Sequence, residues 1–136
     1  MSVSAPLAAQ VLRRAAGRCE YGQMSQSLQE ATFHVEHLVP LSRGSATPEE
    51  NLALACPSCN LHKADRLTAI DPETRSEVRL FHPRRDRWDE HFAWAGFEAT
   101  GKTEMGRATL ATLRFNHSRR LEIRKAEARF GIFPPR

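Results

Sequence analysis

The chain lacks long apolar runs and lacks the pattern of a secretory signal. No apolar stretch approaches the roughly 18 residues that a membrane-spanning helix requires. The N-terminal stretch MSVSAPLAAQVLRRAAG is interrupted by polar residues, and its arginines come too late for a signal peptide. We therefore expect a protein of the cytoplasm with no membrane partner. At 136 residues the chain fits the usual size of one domain, so residues 1–136 are expected to pack as one unit.

Lysine is also scarce. The 20 basic residues are 17 arginines and 3 lysines, and the formal net charge is +4. The planar guanidinium fork of arginine matches phosphate oxygens, so this bias favours a polyanionic partner such as nucleic acid. A solvated arginine-rich surface without a partner is the alternative that charge by itself leaves open.

Cysteine is limited to three residues, Cys19, Cys56 and Cys59. An odd number without an export signal argues against a disulfide framework. Two residues separate Cys56 from Cys59, a gap that lets both thiolates of a tight turn reach one zinc ion. A thioredoxin-like redox motif would need a surrounding βαβ unit, and the sequence gives no sign of one. Metal binding is therefore the better interpretation of this pair.

Local patterns predict a mixed helical and stranded chain. Ser4 is a suitable cap for a helix with Pro6 in its first turn and an end at Gly17. The predicted elements that follow are a turn at 18–29, a strand within 31–40, a loop at 41–50, a helix after the cysteine pair, a turn at 71–72, a basic loop at 81–88, a strand with a glycine turn at 93–101, and helices at 105–116 and 117–130. Leu121, Ile123 and Phe130 are the expected apolar contacts of the last helix.

Several polar residues stand among apolar neighbours: Glu36, His37, Asn51, Asn60 and His62. The alternation of the strand predicts an apolar residue at position 37, where the chain has histidine. Any one of these residues would more often be a satisfied core or capping residue. As a set they favour a site, because Asn51 follows His37 after 14 residues, Asn60 follows Asn51 after 9, and the cysteine pair directly precedes Asn60.

This arrangement resembles the HNH endonucleases. The matching stretches are Glu36-His37-Leu38-Val39-Pro40, Ser42-Arg43-Gly44, Asn51-Leu52 and Cys56-Pro57-Ser58-Cys59-Asn60-Leu61-His62-Lys63. The resemblance implies an α+β fold with a ββα-metal (His-Me finger) core at about residues 18–66. It further implies that additional helices surround this core and that residues 67–136 pack on it as an extension.

The resemblance also assigns roles in the hydrolysis of DNA. His37 is expected to be the general base that activates water, with Asn51 orienting it, while Glu36 and Asn60 are expected to hold the catalytic Mg²⁺ or Mn²⁺. Imidazole suits the first role because it changes charge near physiological pH. The expected nucleic-acid contacts are His34, Arg43, His62, Lys63, Arg66, Arg84, Arg85 and Arg87.

Two positions depart from the family pattern. Glu36 stands where many HNH enzymes have aspartate, which keeps the charge but lengthens the side chain. Gly22 stands where relatives have the second cysteine of a first knuckle, so two alternatives stay open for Cys19, Cys56 and Cys59: a structural Zn²⁺ site that lacks one ligand, or a metal-free group of small buried side chains. On this reasoning Gly22→Cys is expected to restore zinc binding, unless a positive φ requires the glycine.

Two other functions stay open at this point. One is a degenerate HNH-like module that binds nucleic acid without cleaving it, for which the missing cysteine is the argument. The other is a structural or redox zinc protein, which accounts for Cys56 and Cys59 but leaves His37 and Asn51 without a role.

Overall fold

The structure, a computed structural model, describes residues 3–29, 32–39 and 49–135. Its helices are α1 (Ala5–Arg14), α2 (Pro57–Lys63), α3 (Trp88–His91), α4 (Glu104–Thr112) and α5 (Ser118–Arg129). Its strands are β1 (His34–His37), β2 (Leu52–Ala55), β3 (Thr68–Ile70), β4 (Glu77–Arg79), β5 (Phe92–Ala95) and β6 (Glu98–Gly101). None of these helices is long and apolar enough to cross a membrane, as far as the described ranges extend.

Helix α1 begins as its sequence predicts. The Ser4 hydroxyl accepts a hydrogen bond from the Leu7 amide at 3.4 Å, and Pro6 lies in the first turn, where its missing N–H costs nothing. Val11 is completely buried. Gly17 takes a φ of 70° just beyond the helix, a conformation that glycine adopts readily.

Strands β1 and β2 form an antiparallel pair, and α2 follows directly. His37 is paired with Leu52, and His34 is paired with Ala55. All four residues of β2 are buried, whereas β1 is exposed at His34 and half-buried along the rest of its length. Cys56 caps α2, which packs against both strands. The α+β fold and its ββα core are confirmed.

The extension adds two β-hairpins and two long helices. β3 pairs with β4 and β5 pairs with β6, both antiparallel, and α4 packs against the β3–β4 hairpin and β6. Arg107 of α4 binds the fully buried Asp71 carboxylate at 2.9 and 3.1 Å. Phe92 and Phe115 belong to the same buried apolar cluster as Tyr21 and Leu54, so the extension and the ββα core share their interior.

The buried face of α5 is charged, contrary to the sequence pattern. Arg120, Arg124 and Glu127 are at most 3% exposed, whereas Phe130, an expected apolar contact, is 71% exposed. Ile123 packs partly against the core, as expected. The buried arginines replace apolar contacts with hydrogen bonds, because their donors reach backbone carbonyls and cysteine sulfurs of other segments. The expectation that Phe130 makes an apolar contact was wrong, because charged residues and not apolar ones form the buried face of α5.

Candidate active site on the ββα core

His37 ends β1 at the point where the chain leaves the sheet. It is half-buried, and the backbone of the next residue, Leu38, donates from its amide to the Asn51 carbonyl at 2.7 Å. His34 lies on the same strand and is exposed. The alternating pattern of a strand would bury position 37, and the histidine there keeps its ring at the edge of the core.

Asn51 fixes the backbone that follows His37. Its side-chain oxygen accepts from the Val39 amide at 2.8 Å, and its side-chain nitrogen donates to the Val39 carbonyl at 2.9 Å. The side chain is well inside the protein, since Asn51 is only 7% exposed. The carboxamide therefore replaces a sheet partner for Val39 and holds the chain on the C-terminal side of His37 in one position.

Glu36 points into the protein and is partly engaged there. The Tyr21 hydroxyl donates to Glu36 Oε1 at 2.7 Å, and Lys63 Nζ lies 4.0 Å from the same oxygen. The Glu36 side chain is 9% exposed. Burial raises the pKa of the Glu36 carboxyl to about 7, although the Lys63 ammonium and the Tyr21 hydroxyl act in the opposite direction.

The side-chain oxygens of Glu36 and Asn60 are of the kind that a divalent ion binds. Among the described residues, no hydrogen-bond donor contacts the second carboxylate oxygen of Glu36, so this oxygen is available as a ligand. Asn60, the other expected ligand, is half-buried on α2, and its carboxamide makes no hydrogen bond within the described ranges. Mg²⁺ and Mn²⁺ take such oxygen ligands, with water and substrate phosphate completing the shell. A cation here would also stabilise the charged carboxylate, which burial disfavours.

The three cysteines form a buried cluster beside this site. Their sulfur atoms all lie within 4.8 Å of one another, and all three residues are buried. Hydrogen bonds from Cys19 and Cys59, together with the charge of Arg120, hold the pKa of Cys56 well below its usual range. Burial raises the pKa of Cys19 to about 11, and burial likewise raises that of Cys59. The Arg120 guanidinium, whose Nη2 lies 3.7 Å from Cys56 Sγ, therefore favours the thiolate form at Cys56.

The expected phosphate contacts fall into two groups. Exposed or half-buried side chains belong to His34, His62, Arg66, Arg85 and Arg87. Two others are used internally. Lys63 is 3% exposed, and its ammonium donates to the Leu38 carbonyl at 3.1 Å, while Arg84 is paired with Glu20. Arg43 lies outside the described residues.

Sequence reasoning missed two residues that build the site. Tyr21, the single tyrosine of the chain, is fully buried and holds the Glu36 carboxylate. Its carbonyl accepts from Trp88 Nε1 at 2.7 Å, which ties the extension to the core. Arg120 of α5 reaches the cysteine cluster, with Nη2 3.3 Å from Cys59 Sγ. The lone tyrosine inside the first knuckle was a usable signal, whereas no local pattern marks Arg120.

Comparison with known families identifies the segment that carries this site. The family model described as HNH endonuclease matches residues 18–66. That range contains the cysteines, both strands of the first sheet and α2. No curated protein and no solved structure matches the chain.

Proposed function

We propose that this chain, whose residues 18–66 match the HNH endonuclease family model, is a metal-dependent endonuclease that hydrolyses phosphodiester bonds of DNA. The family match supports action on nucleic acid in general. The choice of DNA, of catalysis over binding, and of the individual residues is our inference. We further propose that residues 1–136 work as one domain.

The observation that carries this proposal is the pair of hydrogen bonds from Asn51 to Val39. These bonds fix the chain immediately after His37, and the pairing of β1 with β2 fixes His37 and the residues before it. Catalysis depends on placing a base within about 0.5 Å of its productive position, and supporting hydrogen bonds provide this placement. A surface that only binds phosphates has no comparable need for a fixed backbone beside a histidine.

His37 is the proposed general base. Its imidazole accepts a proton from a water molecule as that water attacks phosphorus, and the bond from phosphorus to the 3′ oxygen breaks. Asn51 is a positioning residue, since it acts on His37 through the backbone of Leu38 and Val39 and does not itself reach the reacting atoms. The products are a 5′ phosphate and a 3′ hydroxyl.

Glu36 and Asn60 are the proposed ligands of the catalytic ion. A divalent ion held there would neutralise charge on the scissile phosphate and on the departing oxygen. Tyr21 and Lys63 hold Glu36 from the inside through Oε1, which keeps the carboxylate in one orientation. Both are therefore proposed as positioning residues for Glu36.

DNA is proposed to lie across the exposed cations near this site. Arg66, Arg85 and Arg87 are exposed, and Arg84 anchors the loop that carries two of them through its ion pair with Glu20. Lys63 and Arg84 are left out of the proposed contacts because their charges are neutralised within the protein. Arginine contacts of this kind position a duplex without reading its sequence.

A non-catalytic nucleic-acid-binding module is the second candidate. The observation that favours it is the burial of Glu36, whose carboxyl has a pKa raised to about 7 and already bonds Tyr21. A carboxyl that stays protonated at neutral pH would bind a divalent ion poorly. The exposed arginines would then account for the whole function.

Nicking of supercoiled plasmid tests the proposal. Purified protein is incubated with plasmid in Mg²⁺, in Mn²⁺ and in excess chelator, and conversion to the open-circular form is followed on gels. Asn60→Ala is the matched variant, because it removes a proposed ligand without disturbing a hydrogen bond of the described structure.

The endonuclease proposal expects nicking with either ion, none with chelator, and a loss of at least 100-fold in Asn60→Ala. Binding of the plasmid without nicking in either ion would contradict catalysis and support the second candidate. Nicking that continues at full rate in chelator would contradict the assignment of Glu36 and Asn60 as ligands of a catalytic ion.

A further inference from the structure

The first cysteine turn copies the geometry of the second. In the second turn, the Cys59 amide donates to Cys56 Sγ at 3.4 Å. In the first, the Gly22 amide donates to Cys19 Sγ at 3.5 Å across the same two-residue gap. The two turns face each other across the sulfur cluster. Position 22 therefore corresponds to Cys59, and the backbone for a fourth cysteine is intact.

The space for a side chain at position 22 is already filled. A Cβ atom there would lie 3.7 Å from Cys59 Sγ, which shows that the side chain would point into the cluster. The same Cβ would overlap Nη2 of Arg120. The φ angle of Gly22 is outside the left-handed region, so backbone conformation does not require the glycine. Its missing side chain is what makes room for the guanidinium.

Arg120 is held in this position by several contacts. Nη2 lies 3.3 Å from Cys59 Sγ and 3.7 Å from Cys56 Sγ, and Nη1 donates to the Leu113 carbonyl at 2.9 Å. The guanidinium carbon lies 5.3 Å from the centre of the Phe115 ring. Arg120 is 3% exposed, so nearly all of the residue is enclosed by protein.

We propose that the Arg120 guanidinium takes the place of both the zinc ion and its fourth ligand, so that the cysteine knuckle of this domain folds without metal. Zinc–thiolate bonds are about 2.3 Å long. An ion bonded to Cys56 and Cys59 at that distance would share its space with a cation already in contact with both sulfurs. Two positive centres so close together in a buried site repel strongly.

The proposed exclusion of zinc does not result from a lack of space beside the cysteine cluster. A cavity of about 350 Å³ opens beside the cluster, and its lining includes Cys56 and Arg120. An ion in this cavity would therefore lie next to Cys56, whereas Cys19 and Cys59 do not line it. What excludes it is charge and the missing ligand, and both can be reversed by substitution.

Three proteins test the proposal: wild type, Gly22→Cys, and the double variant Gly22→Cys/Arg120→Ala. Each is purified with zinc present and dialysed, and bound zinc is then measured by mass spectrometry. Thermal melts with and without chelator report whether zinc stabilises the fold. Thiolate-to-metal charge transfer on Co²⁺ substitution reports tetrahedral thiolate ligation. None of these readouts depends on nuclease activity, so their outcome is separate from that of the plasmid assay.

We expect less than a tenth of an equivalent of zinc in the wild type and a melting temperature that chelator leaves unchanged. Gly22→Cys, which keeps Arg120, should also bind little zinc and should melt at a lower temperature because of the overlap. The double variant should bind one zinc per chain, and zinc should raise its melting temperature.

Two results would overturn the proposal. One is a full equivalent of zinc in the wild type whose removal lowers the melting temperature. The other is equal zinc uptake by Gly22→Cys and the double variant, since Arg120 would then exclude nothing. If the double variant fails to fold, the wild-type zinc content alone decides.

Discussion

Replacing Asn51 with alanine separates the role of this residue in stability from its role in cleavage. The substitution removes the two hydrogen bonds to Val39, at 2.8 and 2.9 Å. Each neutral hydrogen bond contributes about 1 kcal/mol net, so Asn51→Ala should lower the free energy of unfolding by about 2 kcal/mol. For a chain of 136 residues, this corresponds to a fall of about 7 °C in melting temperature.

The chain supplies a matched control in Asn116. Its carboxamide makes the same pair of bonds to Ala99, both at 2.8 Å, on β6 of the extension. It also accepts a longer bond from Arg124 at 3.4 Å. Asn116→Ala should therefore be destabilised at least as much as Asn51→Ala, but it leaves the backbone beside His37 untouched.

Melting and cleavage are measured on both variants, with cleavage followed well below either melting temperature. We expect similar losses of stability, and we expect a fall of about 100-fold in kcat for Asn51→Ala alone, since small displacements of a catalytic group have effects of this size. Equal cleavage by the two variants, or an Asn51→Ala protein as stable as wild type, would refute the assignment of Asn51.

Three further predictions concern charge. Arg107 holds the pKa of the Asp71 carboxyl well below its usual value. The stabilisation of the fold by the ionised Asp71 carboxylate is therefore present above the unfolded-state pKa and is lost as the pH falls below about 4. In acid titrations of unfolding, the free energy of unfolding should depend less on pH in Asp71→Asn than in the wild type. Arg85→Ala should weaken DNA binding and reduce the slope of affinity against salt by about 1, which titrations at several salt concentrations measure. Arg124→Ala should lower the free energy of unfolding by at least about 3 kcal/mol, because buried carbonyls lose a charged donor. The exposed residue Phe130 is the control, since Phe130→Ser should change the free energy of unfolding by less than about 0.5 kcal/mol in the same denaturant melts.

Local signals predicted much of the ββα core. The strand containing His37, the helix carrying Asn60 and the cap at Ser4 are all present, although this helix begins between the two cysteines, at Pro57. Each depends on residues close together in sequence, such as the alternation around Val35, and such signals survive without tertiary information. The family pattern then added what periodicity cannot give, a set of residues that are expected to meet at one site.

Long-range contacts could not be predicted in the same way. The buried face of α5 depends on hydrogen-bond partners far from it in sequence: Cys59 Sγ accepts from Arg120, and the Ser25 amide donates to Glu127. The inward orientation of Glu36 depends on Tyr21, which lies in a turn 15 residues earlier. From sequence, a charged helix face is interpreted as solvent-exposed, because its partners are unknown. Likewise, a single glycine does not reveal which side chain occupies the space beside it.

Cleavage and affinity measured on the same DNA show whether His37 performs chemistry. Wild type, His37→Ala and His117→Asn are compared for nicking rate in Mg²⁺ and for binding to the same plasmid in Ca²⁺. His117 is the control because it lies outside the matched segment, and asparagine can cap α5 in its place. We expect the affinity of His37→Ala for DNA to lie within twofold of the wild-type value and its nicking rate to be at least 100-fold lower. His117→Asn should match the wild type in both affinity and rate. Nicking by His37→Ala at the wild-type rate would contradict the proposed role of His37.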